Sequence, residues 1–234
     1  MTLTNCSFEC LAVEDSEVRG VRVGAVLGDN DKKEMKMTLA EFRKMVQENI
    51  EALDEERRDD SEPVEETERR LAALVEANIQ FSFLATNISQ PVKLQLTNPS
   101  SSFVLYNLAR MKQMARSFHQ LVTSGRYPPL PPAQHIDFSL LVEPEEWELM
   151  FIFLLSYQDV VFECSESLSV HKLVTFLYSL ATTFSRYYNR VKILKDPLPH
   201  LVPAVHARVF FVKEISSVVI NALDLLNINY VAKM

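Results

Sequence analysis

A chain of 234 residues, 47% of them apolar, can bury one good-sized core, or a core with a small appendage, and one main domain is expected. The longest apolar run, Leu149 to Leu155, has seven residues against the roughly 20 a membrane helix needs, and the N-terminus lacks the basic-then-apolar order of a secretory signal. The net charge of −7 is carried by residues 1–100, which hold 12 Lys+Arg and 20 Asp+Glu, whereas residues 101–234 hold 12 and 11, so the second half can still present a modest basic surface.

Three cysteines, Cys6, Cys10 and Cys164, cannot complete a disulfide framework and show no paired metal-ligand spacing. A reduced, intracellular setting is expected: the cytoplasm, with the nucleus left open.

In chain order, Val21, Val23, Ala25 and Leu27 alternate against Arg22, Gly24 and Gly28, reading as a strand that enters a turn at Gly28-Asp29-Asn30 and forms a small hairpin. Thr38 can cap a helix from Leu39 to about Leu53, with Glu41 completing a capping box and Phe42, Val46, Ile50 and Leu53 on one face. From Asp54 to Arg70 there is almost no apolar residue and Pro63 interrupts, so this acidic stretch reads as a solvated linker. An acidic run can also mimic phosphate and regulate access to a basic site. Helical pattern resumes at Leu71, and Ile79 to Thr86 fits helix or strand.

Asn98-Pro99-Ser100 is a turn and helix start, and a helix from about Ser102 to Thr123 places Val104, Leu108, Met111, Ala115 and Phe118 inward, with Arg110, Lys112 and Arg116 partly outward. Gly125 stops it. Residues 127–132, with four prolines, read as an extended connector that could also dock an aromatic groove. Pro144 opens a helix that runs to about Cys164, with Glu145, Glu146 and Glu148 near its positive end.

Two long helices close the chain. Leu173, Phe176, Leu177, Leu180, Phe184 and Tyr187 recur at three and four, with Ser167 or Ser169 as cap. After a proline-rich turn, Pro203 opens a helix with a seam at Val205, Val209, Val212, Val219, Leu223 and Leu226, ending at Asn227, a residue that tolerates the left-handed conformation. The fold is therefore read as mainly α, in three parts: residues 1–53, a small N-terminal α+β segment of hairpin plus helix; 54–70, an acidic flexible linker; and 71–234, a bundle of at least four substantial helices.

The last 65 or so positions carry more than periodicity. SVHKLVTFLYSLATTFSRYYNRVKIL and ARVFFVKEISSVVINALDLLNINYVAKM resemble the C-terminal DALR anticodon-binding domain of arginyl-tRNA synthetases. The likeness runs through His171, Leu173, Leu177-Tyr178, Leu180-Ala181, Phe184, Tyr188, the Leu223-x-Leu225-Leu226 end and the terminal Met234. SSFVLYNLARMKQM resembles the helix leading into that domain, and VGAVLGDNDKKEMKM faintly resembles the segment before it. The pattern is most similar to animal members of the family that lack the catalytic machinery of a synthetase.

No catalytic constellation is found. The five histidines are scattered and the chain has only four glycines, so there is no phosphate-cradling loop or nucleophile elbow. Where the synthetases often have Lys-Thr-Arg-Ser-Gly, this chain has Lys36-Met37-Thr38-Leu39-Ala40, and a nucleotide-binding domain with a His-x-Gly-His signature is missing. No enzymatic activity, cofactor, metal or small-molecule substrate is expected.

Recognition is what the residues allow. Arg186, Arg190 and Lys192 surround Tyr188 and Asn189 at a helix end, mixing phosphate-binding cations with a ring on which an unstacked base can lie. His171 and Lys172 occupy the first turn of the same helix, and Arg110, Lys112 and Arg116 would extend a basic stripe if the two helices are neighbours. Each has a plainer reading: Tyr187 and Tyr188 finish the core seam, the cations suit a helix C-terminus, and His171 makes a structural hydrogen bond. The resemblance implies an adaptor that binds the anticodon arm of arginine tRNAs and delivers them to a 3-methylcytidine tRNA methyltransferase. The alternative is a protein-interaction scaffold that keeps the bundle without the RNA site. The hairpin at the start resembles the end of another domain, so a longer form is expected.

Overall fold

The computed structural model describes residues 26–27, 37–55, 64–195 and 198–230. Most of the expected hairpin and the centre of the acidic stretch lie outside these. The mainly α reading holds. Among the described residues the strands are two short ones, β1 (Val26–Leu27) and β2 (Val92–Lys93), and they pair in parallel, so the described partner of β1 lies far along the chain. No helix there is long and apolar enough to cross a membrane.

Helix α1 (Leu39–Glu55) starts on the expected capping box: the Thr38 amide donates to the Glu41 carboxylate at 2.8 Å and the Glu41 amide to the Thr38 hydroxyl at 3.3 Å. Phe42 and Val46 are buried, but Leu53, near the end of the helix, is exposed. Helix α2 (Val64–Leu84) begins inside the stretch read as a linker, so the expected boundary at residue 70 falls within it. Its apolar residues serve two sides. Val75 and Ile79 join Phe42, Val46, Val92 and Leu94 in a small core, while Ala77 and Phe81, about 200° round the helix, enter the main one. Residues 79–84, ambiguous between helix and strand, are thereby helical.

Helix α3 (Pro99–Thr123) is capped by Asn98, whose side-chain oxygen accepts from the amides of Ser100 at 3.0 Å and Ser101 at 3.3 Å, and it stops at Gly125, whose φ of 72° suits a residue without Cβ. The rod after Pro144 is not one α-helix. It comprises α4 (Pro144–Glu148), a π-helical segment (Leu149–Leu154) and α5 (Tyr157–Ser167). Leu168, at φ 51°, then turns the chain into α6 (His171–Arg190). Neither Ser167 nor Ser169 caps α6. In this tight link their hydroxyls donate backwards, to the carbonyls of Glu163 at 2.6 Å and Ser167 at 3.1 Å, and the start of α6 has no side-chain cap.

The α6 seam is buried as expected, with Leu177, Leu180, Phe184 and Tyr187 fully enclosed. Helix α7 (Val202–Leu225) buries Val205, Val209, Val212, Val219 and Leu223, and Asn227 takes the left-handed conformation at φ 54°. Helices α3, α6 and α7 form the centre of the main core.

One carboxylate crosses this core. Glu146, fully buried, is the third residue of α4 and accepts the Glu143 amide at 2.9 Å as one arm of a capping box. It also accepts the Tyr187 hydroxyl at 2.8 Å and the Arg208 Nε at 2.8 Å, joining α4 to α6 and α7. Burial, helped by the neighbouring carboxylate, holds the Tyr187 phenol far above its ordinary pKa, so it stays a donor. Removing one partner of such a pair leaves a buried charge poorly compensated; without Glu146, Arg208 keeps only a longer contact with Glu143, at 3.5 Å. Glu146→Ala should therefore cost about 3–5 kcal/mol in urea denaturation. Tyr187→Phe, which only takes one donor from the carboxylate, should cost about 1–3 kcal/mol.

Candidate functional site

The end of α6 lies beside the middle of α3. Arg110 of α3 donates to the Asn189 side-chain oxygen at 2.8 Å, and its guanidinium lies over the Tyr188 ring, 4.2 Å from the centroid, with the Tyr106 ring on another side at 5.3 Å. Cation and rings hold one another, each contact being worth about 0.5–1 kcal/mol at an exposed site. Tyr188 itself leans on Phe184, ring centroids 5.7 Å apart, so the platform is anchored in the core.

Beside this platform a groove of about 390 Å³ runs between Gln113, Met114 and Ser117 of α3 and residues 188–194. Its second wall is the extended chain beyond α6, where Val191 has left the helical conformation. The lining mixes an amide, a hydroxyl, main-chain groups and apolar surface with Arg190 and the exposed Lys192 in the wall, and Arg110 is held against two of the lining residues, Tyr188 and Asn189. Lys192 has no carboxylate within ion-pair distance among the described residues. Such a place suits a planar group that stacks and hydrogen-bonds through its edge, next to an anion.

The other expected residues divide into three groups. Lys112 and Arg116 point elsewhere: Lys112 is about 200° round α3 from Arg110, with its ammonium 4.0 Å from the Tyr230 ring centroid. Burial, and then repulsion by Arg116, lowers its pKa against an opposing pull from Asp224. His171 and Lys172 lie at the far end of α6, about 27 Å from Asn189 by helical rise. Lys172 is paired with Glu163 at 2.5 Å, and the buried His171 Nδ1 has no hydrogen-bond partner, so the structural bond expected of it is not made there.

Arg186 and Arg190 form the third group, and their surroundings were not legible in the sequence. Arg186 donates to both Glu148 carboxylate oxygens, at 3.0 and 2.9 Å, and to the Thr183 hydroxyl at 3.2 Å. Arg190 is held by Glu145, at 2.9 Å from its Nε, and by Glu143 at 2.7 Å. Both guanidiniums are half exposed, but their charge is answered by α4. The groove residues Gln113 and Ser117, and Tyr106 above them, were also missed. Their signal was present: positions 106, 110, 113 and 117 follow one face of a helix.

The sequence pattern of the DALR anticodon binding domain matches residues 104–234, more than half of the chain. A DALR anticodon-binding domain-containing protein 3 of Danio rerio is 30% identical over 178 residues, covering 68% of this chain and 32% of that protein. The arginine–tRNA ligase of Borrelia hermsii is 29% identical over 141 residues, covering 60% of this chain and 22% of the ligase. Among solved structures, an arginyl-tRNA synthetase of Thermus thermophilus superposes with a TM-score of 0.69 at 22% identity, over 91% of this chain and 35% of that one, a likeness of fold. The chain thus spans about a third of the length of the Danio rerio relative.

The α4–α6 ion pairs have a pH consequence. Glu145 is held below the ordinary carboxylate range, chiefly by its hydrogen bond from Arg190. A carboxylate whose pKa falls on folding adds stability above its unfolded pKa, and that stability is lost as the pH drops through the folded value. In Arg190→Gln the Glu145 carboxyl should titrate at higher pH, measured by NMR, and the variant should lose less stability than the parent on acidification. The difference will be small, since the Arg190 side chain is half exposed.

Proposed function

We propose, from the premise that this chain belongs to the DALR anticodon-binding domain family, that it binds tRNA and performs no ligation. The observation that carries the reading is the Arg110–Tyr188–Asn189 platform bordering the groove. An anticodon loop offers unstacked bases and closely spaced phosphates, and single-stranded RNA is recognised by stacking and edge hydrogen bonds. In this reading a loop base enters the groove against Tyr188, and Gln113, Ser117 and Asn189 read its edge. Arg110 and Lys192 meet the flanking phosphates, and Lys112 and Arg116 touch the backbone further along. Arg186, Arg190 and Lys172 keep their carboxylate partners, and neither they nor His171 is assigned a contact.

The finer reading is that arginine tRNAs are preferred and are presented to a 3-methylcytidine tRNA methyltransferase. It is supported by the ligase kinship of the relatives and by a chain that offers binding groups without a catalytic cluster. The competing reading, a scaffold without RNA, draws on the acidic balance of the chain and on the neutralised Arg186 and Arg190.

A titration with arginine tRNA and with an unrelated tRNA across salt concentrations separates the two. Each phosphate contact adds about 0.9 to the slope of log affinity against log salt for a duplex, and somewhat less for a single strand. Lys192→Gln should lower the slope by about one contact, Tyr188→Leu should weaken binding several-fold without changing it, and Arg186→Gln should do little. A flat slope with no tRNA preference would establish the scaffold instead.

A further inference from the structure

We propose that the solvent face of the rod formed by α4, the π-helical segment and α5 docks a basic amphipathic helix of another protein. Five large apolar side chains stand on it, exposed by between 52% and 67%: Trp147, Phe151, Ile152, Leu155 and Phe162. Trp147, Phe151, Leu155 and Phe162 follow one another at four, four and seven residues along the rod. Trp147 and Phe151 are stacked, with centroids 5.4 Å apart and planes 15° from parallel. Isolated exposed apolar residues are common, but a contiguous stripe is the mark of a contact surface. The stripe also spans the π-helical segment, a feature that costs regular hydrogen bonding and recurs at functional positions.

Charge decides the occupant. Residues 127–171 carry eight carboxylates and no lysine or arginine. Four of them, at 143, 145, 146 and 148, are spent on arginines of α6 and α7, and Glu163 holds Lys172. Asp159 and Glu166 remain exposed beside the stripe, and neither has a cation within ion-pair distance among the described residues. Nucleic acid and anionic membrane are repelled by such a rim, and a second copy laid face to face would bring carboxylate against carboxylate. A helix with apolar residues at every third and fourth position, bordered by lysine or arginine, complements both features. The stripe from Trp147 to Phe162 is about 22 Å long, which four turns of partner helix would cover. Trp147 at one end and Phe151 beside it supply the aromatic anchors on which such contacts depend.

The test uses the only tryptophan of the chain, Trp147, as its reporter. Two synthetic helical peptides of about 18 residues, each with a leucine stripe and bordered by lysine in one and glutamate in the other, are titrated against the full chain. The lysine peptide should shift Trp147 emission to the blue, saturably and less so at high salt, and the glutamate peptide should not. Phe151→Ala with Leu155→Ala should weaken binding at least about tenfold. Asp159→Lys with Glu166→Lys should exchange the preference, a result that mere loss of folding cannot produce. Equal response to both peptides, no response to either, or dimerisation abolished by the same substitutions would overturn the proposal. Because the ridge and the groove are different surfaces, the tRNA titration should be unchanged in the Phe151→Ala, Leu155→Ala variant, which keeps the charge of the chain, so the two readings fail or survive separately.

Discussion

A buried carboxylate sets the arrangement of the second half of the molecule. Glu146 could have been solvated in the first turn of α4, where acidic residues commonly interact with the helix dipole. Instead it points inward, fully buried, and takes donors from its own cap, from α6 and from α7. An ion pair of this kind adds little net stability compared with well-packed apolar residues, because desolvation offsets most of the attraction. Its effect lies in discrimination. A slip of α4 by one residue along α6 would strand Glu146, Arg208 and the Tyr187 hydroxyl without partners, so register is fixed far more sharply than by leucine contacts alone.

That anchor has consequences at the surface. With α4 held in this register, Glu143, Glu145 and Glu148 lie against the last turns of α6 and meet Arg186 and Arg190. The basic cluster that the RYYNR sequence suggests is thereby largely neutralised, Arg190 within the groove wall itself, while Lys192 of that wall has no carboxylate partner among the described residues and Arg110 is held against Tyr188 and Asn189. Which cations of this helix end are answered by carboxylates is thus decided by a residue that bonds to none of them.

Local signals in the sequence were read correctly because their physics is local. The Thr38–Glu41 box, the Asn98 cap, Asn227 at the end of α7 and the three-four spacing of Leu173 to Tyr187 all involve partners within a turn or two of one helix. What escaped depends on chain neighbours made by folding. Glu146 and Arg208 are 62 residues apart, and Arg190 is 45 from Glu145, distances at which periodicity carries no information. The two-faced pattern of α2 likewise has meaning only once a second core exists for Val75 and Ile79 to enter. The exposed stripe at Trp147, Phe151 and Leu155 misleads in the opposite direction, since apolar spacing alone looks the same whether a face is buried by its own chain or left bare.

The geometry of the groove suggests why few free cations suffice there. A lysine or arginine projecting into water loses rotamer freedom when it grips a ligand, and that loss reduces the affinity it contributes. Arg110 has already lost it, because two rings and the Asn189 side chain fix its guanidinium in the unbound molecule. The planar fork of an arginine, so held, retains donors that can face an anion without further ordering. Binding would then draw on stacking and edge contacts more than on bulk charge, which suits a chain of net charge −7 better than a broad basic face would.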